Sequence, residues 1–285
     1  MAKIVEEARV IGQERISEQI FRLRLYSPKI AGAAHCGQFV MVRVRDGIDP
    51  LLRRPFSFSR IYPETGEFEL LYRVVGRGTW LMSQLADGGT ASIIGPLGNG
   101  FELPIETSSS LVFIAGGIGI APLLELMEQV IAERVEKERK DLRLFYGART
   151  KQELLPEEYV SLPGIEVHFA TEDGSSGYCG RVTRLFEESM SQGDCKPVEI
   201  YSCGPLAMQH KVAGWAIAND TLAQLSMESL MACGVGACLG CALPAATPGE
   251  PDSESFVHVC EDGPIFMAGS IKWSKILVQQ TIVPA

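Results

Sequence analysis

The chain contains 285 residues, of which 46% are hydrophobic, and its formal net charge at pH 7 is −9. This composition predicts a globular protein with two or three domains, and the acidic balance argues against nucleic acid as a partner. No apolar run approaches the roughly 18 residues of a membrane span, and the N-terminus lacks the apolar stretch of a signal peptide. We therefore expect a cytoplasmic protein without a membrane span.

The first segment, residues 1–105, alternates short β-rich runs with turns that contain Gly or Pro. The strongest runs cover residues 18–25, 38–44, 67–75 and 90–94. Several short strands at this spacing predict a small antiparallel β-barrel.

Two motifs in this segment carry groups that bind phosphates. Arg54 offers a bidentate fork, Gly76 and Gly78 expose backbone N–H groups, and Ser57 and Thr79 offer hydroxyls. Each piece taken alone also fits a solvated turn or a β-bulge. The motifs therefore need support from the rest of the chain.

The second segment, residues 106–220, changes to a pattern of apolar strands and helices. Residues 111–115 form a wholly apolar run, which is typical of a buried parallel strand, and a helix is predicted over 122–140. Further strands are predicted over residues 142–146, 165–170 and 198–202. This alternation predicts an α/β domain with a parallel sheet.

A glycine-rich turn joins the first strand of this domain to its helix. Gly116, Gly117 and Gly119 precede Pro122, so that backbone N–H groups at the start of the helix could meet a nucleotide phosphate. Residues 203–205 end a later strand at the same carboxyl edge, where open α/β sheets bind ligands. The turn does not match G-x-G-x-x-G, and by itself it fits a tight turn equally well.

The last segment, residues 221–285, contains four cysteines with a specific spacing. Cys233, Cys238 and Cys241 follow the pattern C-x4-C-x2-C, and Cys260 lies further along the chain. This spacing is typical of plant-type [2Fe–2S] clusters. The segment is therefore predicted to be a small [2Fe–2S] domain in an electron carrier.

A structural zinc site and a Rieske centre are the alternatives for these cysteines. Zinc modules usually contain two short Cys pairs, whereas the second half of this segment offers only Cys260. A Rieske centre requires two histidines, and His258 is the only histidine nearby. The spacing therefore favours the [2Fe–2S] cluster.

In their order along the chain, these motifs resemble those of the ferredoxin–NADP reductase superfamily. The matching stretches are residues 54–57, 76–79, 95–98, 116–122 and 203–205. With the cysteine segments added, the whole chain is similar to the electron-transfer subunits of two-subunit, NAD-linked dihydroorotate dehydrogenases. The resemblance implies FAD, NAD and a [2Fe–2S] cluster, and a partner subunit that contains FMN in a hetero-oligomer.

The resemblance assigns the FAD site to the barrel. It places Arg54 at the pyrophosphate and Ser57, as a catalytic residue, near flavin N5. Phe56 stands where many relatives have Tyr, so ring packing is kept while a phenol hydrogen bond is lost. The full set implied for FAD is Arg54, Pro55, Phe56, Ser57, Tyr72, Gly76, Gly78 and Thr79.

The resemblance also assigns the dinucleotide site, and it places Cys203 near the reacting nicotinamide as a second catalytic residue. The alternative for Cys203 is a small buried residue at a strand end. The set implied for the dinucleotide is Gly116, Gly117, Gly119, Glu172, Asp173, Cys203, Gly204 and Pro205.

The residues after the third strand of this domain bear on the choice of coenzyme. NADP-linked members of the superfamily carry Ser-Arg there, whereas this chain has Glu172 and Asp173 after Thr171. Carboxylates repel a 2′-phosphate and accept from a ribose hydroxyl, so we predict NAD. Arg149 and Lys151 follow the second strand and could bind a 2′-phosphate, which would favour NADP instead.

The implied function is electron transfer from the FMN of a partner subunit through [2Fe–2S] and FAD to NAD⁺, in pyrimidine biosynthesis. No segment of the chain has the roughly 250 residues of an FMN-binding (β/α)₈ barrel, so the organic substrate must be handled elsewhere. The alternatives are a small subunit of sulfide dehydrogenase or of a bifurcating ferredoxin–NADP reductase, a reductase that feeds an oxygenase or hydrogenase, and a redox sensor without catalytic activity.

Overall fold

The computed structural model describes residues 3–104, 110–134, 141–192, 197–247, 249 and 254–280. Its first part is a closed antiparallel barrel of six strands in the order β1-β2-β5-β4-β3-β6, as the sequence predicts. The strands are β1 (Ile4–Arg15), β2 (Ile20–Tyr26), β3 (Phe39–Arg43), β4 (Arg54–Tyr62), β5 (Glu67–Arg73) and β6 (Thr90–Leu97).

Two of these strands, β1 and β4, were not among the runs that the sequence singled out. In β1 only Ala8 and Val10 are buried, so its apolar pattern is weak. β4 begins with Arg54 and Pro55, which read as a turn until the strand pairs with β3 and β5. Tertiary pairing therefore decides the conformation of both segments.

The barrel also contains two short helices, α1 (Pro28–Ala31) and α2 (Arg77–Met82). Helix α2 follows β5 directly and carries the second phosphate motif. Inside the barrel, the rings of Phe58 and Phe68 meet edge to face with centroids 5.0 Å apart.

The second part is a seven-stranded sheet in the order β10-β9-β8-β7-β11-β12-β15. Its strands are parallel except for β15, which runs antiparallel to β12. The strands are β7 (Leu111–Gly116), β8 (Leu142–Ala148), β9 (Ile165–Thr171), β10 (Tyr178–Cys179), β11 (Glu199–Cys203), β12 (Leu222–Ser226) and β15 (Ile265–Met267).

The direction of chain progression reverses at the neighbouring strands β7 and β11. From β7 the chain moves outward through β8, β9 and β10, and it then returns to form β11 on the other side. Crevices at such switch points, beyond the carboxyl ends of the strands, are where open α/β sheets bind ligands.

The helices of this domain are α3 (Ala121–Glu133), α4 (Glu157–Val160), α5 (Val182–Gln192) and α6 (Leu206–Ala218). Helix α3 ends before Arg134, which has an extended backbone with φ −98° and ψ 139°. The helix predicted over 122–140 is therefore shorter than expected, and residues 135–140 lie outside the described part of the chain.

The cysteine-containing segment is built onto the sheet. Strand β12, which the predicted boundary at residue 221 assigns to this segment, pairs with β11, and β15 extends the same sheet. The segment adds a two-stranded sheet of β13 (Ala242–Pro244) and β14 (Phe256–His258), and the helix α7 (Trp273–Gln280). It therefore shares one sheet with the α/β domain.

Helix α3 joins the α/β domain to the barrel through polar contacts with β4. The buried Glu125 carboxylate accepts a hydrogen bond of 2.8 Å from the backbone N–H of Ile61. Arg60 Nη2 lies 2.7 Å from Glu128 Oε1. Arg60 and Ile61 follow the predicted FAD-binding residues Arg54 to Ser57 on the same strand.

Within the described ranges, no helix is long and apolar enough to cross a membrane.

Candidate functional site

A cavity of about 450 Å³ lies where the barrel, the parallel sheet and the cysteine-containing segment meet. The barrel contributes Phe39, Arg54, Pro55, Phe56, Ser57, Leu71, Tyr72, Arg73, Val75 and Thr79, and the sheet contributes Ile118, Gly119, Ala121, Pro122 and Cys203. The cysteine-containing segment contributes Ser226, Met227, Glu228, Ser229, Met231 and Pro264.

The predicted phosphate motifs of the barrel come together at one wall of this cavity. A Cβ atom on Gly78 would lie 2.3 Å from Arg54 Nε, so the absence of a side chain lets the guanidinium lie against the first turn of α2. Arg54 also donates to the backbone carbonyl of Leu52. Thr79 Oγ1 accepts from the backbone N–H groups of Val75 and Gly76, at 3.0 and 3.2 Å. The guanidinium supplies the positive charge that a pyrophosphate requires.

The same side of the cavity has an aromatic wall, which fits the planar ring system of a flavin. The ring of Tyr72 stacks on Phe21 and meets Phe56 edge to face, each at a centroid distance of 5.7 Å. Its hydroxyl donates to Gln13 Oε1 at 3.0 Å, and burial raises the pKa of the phenol. Ser57 lies beside Phe56 on β4, opposite Phe39 of β3.

The glycine-rich turn after β7 packs against the end of β11. A Cβ atom on Gly119 would lie 2.4 Å from the carbonyl oxygen of Cys203, and a Cβ atom on Gly116 would lie 2.7 Å from Pro205 Cδ. Gly117 has a φ of 55°, which side-chain-bearing residues rarely adopt. The turn and residues 203–205 therefore form one surface, although of the residues predicted to bind the dinucleotide only Gly119 and Cys203 line the cavity.

Cys203 is buried at this surface and remains a neutral thiol near pH 7. Burial raises its pKa, and the negative charge of Glu228 raises it further. A neutral thiol can pack against a ring or donate a weak hydrogen bond, but it cannot act as a thiolate nucleophile.

Glu228 lines the cavity, although the sequence analysis did not identify it. Its side chain is exposed at the cavity, where desolvation by the surrounding residues raises the pKa of its carboxyl group. The residue follows β12, so it lies at the same carboxyl edge as the glycine-rich turn. Its position after a strand is the signal that could have identified it, had β12 been recognised.

Glu172 and Asp173 lie outside the cavity lining, at the carboxyl ends of β8 and β9. Glu172 N–H donates to the carbonyl of Ala148, and Asp173 N–H donates to that of Arg149, at 3.1 and 3.2 Å. Hydrogen bonds from Ser175 lower the pKa of Asp173. Glu172 and Asp173, which favour NAD, therefore lie next to Arg149, which favours NADP.

The four candidate cluster ligands form two pairs of thiols. Cys241 Sγ lies 3.3 Å from Cys260 Sγ, and the side chains of Cys233 and Cys238 interact with each other. Among the described residues, no three or more His, Cys, Asp or Glu side chains converge on one point as for a single metal ion. Two pairs fit two irons that each take two thiolates better than one zinc that takes four.

Backbone N–H groups point at the sulfur atoms. Cys233 Sγ accepts from the N–H groups of Val235 and Cys238 at 3.4 Å, and Cys260 Sγ accepts from Gly236 at 3.2 Å. Burial raises the pKa of Cys233, but these hydrogen bonds outweigh it and lower that pKa to about 6. Burial raises the pKa of Cys260 to about 12. Donors aimed at sulfur stabilise the thiolates that hold an iron–sulfur cluster.

The loop that carries these ligands rests on the barrel. Lys3 Nζ donates to the carbonyl of Val235 at 2.8 Å. A Cβ atom on Gly234 would lie 2.4 Å from Met41 Cγ of β3, and one on Gly236 would lie 2.1 Å from Glu261 Oε2. Both glycines have positive φ values, 71° and 79°, so the tight path of the loop requires them.

Three family descriptions match consecutive parts of the chain. Residues 7–101 match the oxidoreductase FAD-binding domain, and residues 113–214 match the oxidoreductase NAD-binding domain. Residues 228–272 match the iron-sulfur cluster binding domain of dihydroorotate dehydrogenase B. These matches confirm the predicted cofactors and the three-part fold.

One solved structure resembles nearly the whole chain. It is described as "Insights into flavin-based electron bifurcation via the NADH-dependent reduced ferredoxin-NADP oxidoreductase structure", and it matches with a TM-score of 0.79 and 26% identity. The match covers 97% of this chain and 93% of that one. A ferredoxin reductase of carbazole 1,9a-dioxygenase matches with a TM-score of 0.64, 21% identity and coverage of 78% and 67%, which shows the fold alone.

Relatives of established family cover most of the chain. The protein of Lysinibacillus sphaericus (strain C3-41) called dihydroorotate dehydrogenase B (NAD(+)), electron transfer subunit, is 36% identical over 267 residues, which cover 93% of this chain and 98% of that protein. The protein of the same name from Bacillus caldolyticus is 37% identical over 268 residues, with the same coverage. The chain therefore belongs to the family of dihydroorotate dehydrogenase B (NAD(+)) electron transfer subunits.

Proposed function

We propose that this chain passes electrons from the FMN of a dihydroorotate-oxidising partner subunit, through its [2Fe–2S] cluster and FAD, to NAD⁺. The observation that carries the proposal is the single cavity to which the FAD domain, the NAD domain and the cysteine-containing segment all contribute side chains. When bound there, FAD exchanges a hydride with nicotinamide and single electrons with an iron–sulfur cluster.

The chain's own residues bind and orient the groups in this proposal. Arg54 would hold the pyrophosphate, and the wall of Phe56 and Tyr72 would pack beside the flavin ring. Ser57 lines the cavity from the barrel and Cys203 lines it from the sheet, so both would lie beside a flavin and a nicotinamide bound there. Cys203 is buried against the glycine-rich turn, and in this proposal it would orient the nicotinamide ring and exclude water.

The four cysteines hold the cluster, and the loop around them is the surface that we assign to the partner. Leu239 in this loop is 59% exposed and Leu230 just before it is 92% exposed. An iron–sulfur cluster between two flavins is useful only if it lies near the surface that docks the second flavin. Exposed apolar residues beside the ligands fit such a docking surface.

The test is reconstitution with an FMN-containing dihydroorotate dehydrogenase subunit. We expect the isolated chain to contain FAD and about two irons per chain, and to reduce dyes with NADH without oxidising dihydroorotate. Adding the partner subunit should produce dihydroorotate-dependent reduction of NAD⁺. Leu239→Glu should weaken this coupled reaction and leave NADH–dye activity intact. Dihydroorotate oxidation by the isolated chain would contradict the subunit assignment.

A second candidate function is the small subunit of a bifurcating ferredoxin–NADP reductase. The solved structure with a TM-score of 0.79 favours it, because that protein is a NADH-dependent reduced ferredoxin-NADP oxidoreductase studied for flavin-based electron bifurcation. The two functions differ in the partner that the chain requires, so affinity purification from the native cell followed by mass spectrometry separates them. Recovery of a subunit with a (β/α)₈ barrel and FMN would support the first proposal, and recovery of a larger ferredoxin-binding subunit would support the second.

A further inference from the structure

The two sets of charges that compete over coenzyme choice lie at one edge of the sheet. Strands β8 and β9 are parallel neighbours in register, with Ala148 opposite Thr171. Arg149 follows the first of them, and Glu172 follows the second. Glu153 is the main cause of the raised pKa of Arg149, and the charge of Glu172 adds to it. A 2′-phosphate placed near Glu172 would therefore also lie near the Arg149 guanidinium.

The Arg149 guanidinium is already engaged by a third carboxylate, Glu153. Arg149 Nε lies 3.1 Å from Glu153 Oε2, and Arg149 Nη2 contacts Glu153 Oε1, so the pair is bidentate. Glu153 also lies 3.4 Å from Arg73 Nη1 of the barrel, and its side chain is only 19% exposed. The fork of donors that arginine uses for a phosphate is the same fork that this carboxylate occupies.

The other side of this edge is held in place by Ser175. Its hydroxyl donates to Asp173 Oδ1 at 2.6 Å and accepts from the backbone N–H of Lys151 at 2.8 Å. Asp173 therefore keeps a negative charge beside the turn that follows β8 and contains Arg149 and Lys151. At this edge the carboxylates of Glu172 and Asp173 are available to accept from a ribose hydroxyl. The guanidinium of Arg149 is instead paired with Glu153.

We infer that Glu153 determines the preference for NAD over NADP, by holding the Arg149 guanidinium in an ion pair and so denying it to a 2′-phosphate. This inference rests on the proposed function, in which nicotinamide dinucleotide binds at this edge, and it adds a specificity residue that does not contact the coenzyme. It also explains how Arg149 can stand beside a predicted NAD site without creating an NADP site.

The experiment compares the binding of two probes that need no turnover. Adenosine 2′,5′-bisphosphate carries the 2′-phosphate of NADP, and 5′-AMP lacks it. Their dissociation constants are measured by calorimetry on the purified FAD- and cluster-containing protein. In Glu153→Gln the shape is kept and the charge is lost. We expect the bisphosphate to bind Glu153→Gln about five-fold more tightly than it binds the parent protein, a change that corresponds to the free energy of an exposed ion pair. The dissociation constant of 5′-AMP should change less than about two-fold.

Two variants show whether the gain comes from Arg149. In the double variant Glu153→Gln with Arg149→Gln, the gain should disappear. Arg149→Gln alone should leave bisphosphate binding unchanged, because in the parent the guanidinium is held by Glu153. This single variant tests the inference even if Glu153→Gln fails to fold, since weaker bisphosphate binding there would overturn it.

Glu158→Gln is the matched control, because Glu158 is an exposed carboxylate on the neighbouring helix α4 and has no bond to Arg149. An equal gain in this control would assign the effect to net charge and overturn the inference, as would a gain that survives in the double variant. NADPH oxidation relative to NADH should rise in parallel in Glu153→Gln. A parent protein that binds neither probe and does not oxidise NADH would refute the proposed function instead.

Discussion

The contact between Gly78 and Arg54 can be tested with the single change Gly78→Ala. The added Cβ atom would lie 2.3 Å from Arg54 Nε and 2.7 Å from Cζ, so the guanidinium must leave its place against α2. The atoms that clash belong to the mobile end of a side chain, and the backbone of Gly78 needs no positive φ. The fold should therefore tolerate the change, while the proposed phosphate contact should not.

The expected effects on stability and on FAD binding have opposite signs. Alanine inside a helix is favoured over glycine by up to about 1 kcal/mol, so the melting temperature of the apo-protein should stay constant or rise. Loss of a hydrogen bond to a charged group costs about 1.5–3 kcal/mol, so the FAD dissociation constant should rise roughly 10- to 150-fold. Flavin fluorescence titration of the apo-protein measures the second effect, and thermal unfolding measures the first.

Gly214→Ala is the matched control for this prediction. Gly214 lies on helix α6 outside the cavity lining, and a Cβ atom there has no other atom within 4 Å. FAD affinity should therefore remain near that of the parent. If Gly78→Ala binds FAD as tightly as Gly214→Ala, the Arg54 guanidinium does not bind the pyrophosphate, and the reasoning about this wall of the cavity is refuted.

Three further changes test other parts of the site. Cys238→Ser should lose the cluster but keep most of the FAD, measured by iron content and flavin absorbance, because the FAD motifs lie on the barrel; equal loss of both cofactors would contradict this. Arg60→Met removes the partner of Glu128 and should lower NADH–dye turnover severalfold at unchanged FAD content, and unchanged turnover would show that this contact does not position the domains. Glu228→Gln should raise the melting temperature relative to the parent slightly more at pH 7 than at pH 4, because desolvation in the cavity wall raises the carboxyl pKa and its ionisation then costs folding energy, an effect that the exposure of the side chain keeps small; an identical difference at both pH values would argue against this.

The sequence predicted the parts of the site that depend on local patterns. The spacing of Cys233, Cys238 and Cys241 and the glycine-rich turn after residue 115 each fit within one loop, so they are visible without the fold. The barrel was predicted from the strands with regular alternation. Strand β4 was missed because its first residues, Arg54 and Pro55, resemble a turn, although they line the cavity.

The parts that the sequence did not reveal depend on the order of strands in the sheet. Glu228 reaches the cavity because β12 pairs with β11, and no local pattern specifies that neighbour. The ion pair between Arg149 and Glu153 depends on the short turn between these two residues. The ion pair between Glu153 and Arg73 depends on how the barrel packs against the sheet. Pairing across domains cannot be predicted from spacing, so the sequence did not identify Glu228, Glu153 or Arg73 as parts of the site.

The segment that follows the fourth cysteine ties the cluster to both domains. Pro264 lines the cavity a few residues after Cys260. From the barrel, Asn99 donates through its side chain to the carbonyl of Asp262 at 3.0 Å and through its backbone to that of Gly263 at 2.6 Å. From the sheet, the N–H of Met227 donates to the carbonyl of Pro264 at 2.8 Å.

These hydrogen bonds hold the segment that separates the cluster ligand Cys260 from the cavity. The residues between a cluster ligand and the cavity wall are held by the barrel on one side and by the sheet on the other. A movement of the α/β domain relative to the barrel therefore acts on the segment between Cys260 and Pro264, and not only on the contact of α3 with β4. Because electron transfer and hydride transfer both depend on close approach, the same interdomain contacts set the geometry of both steps.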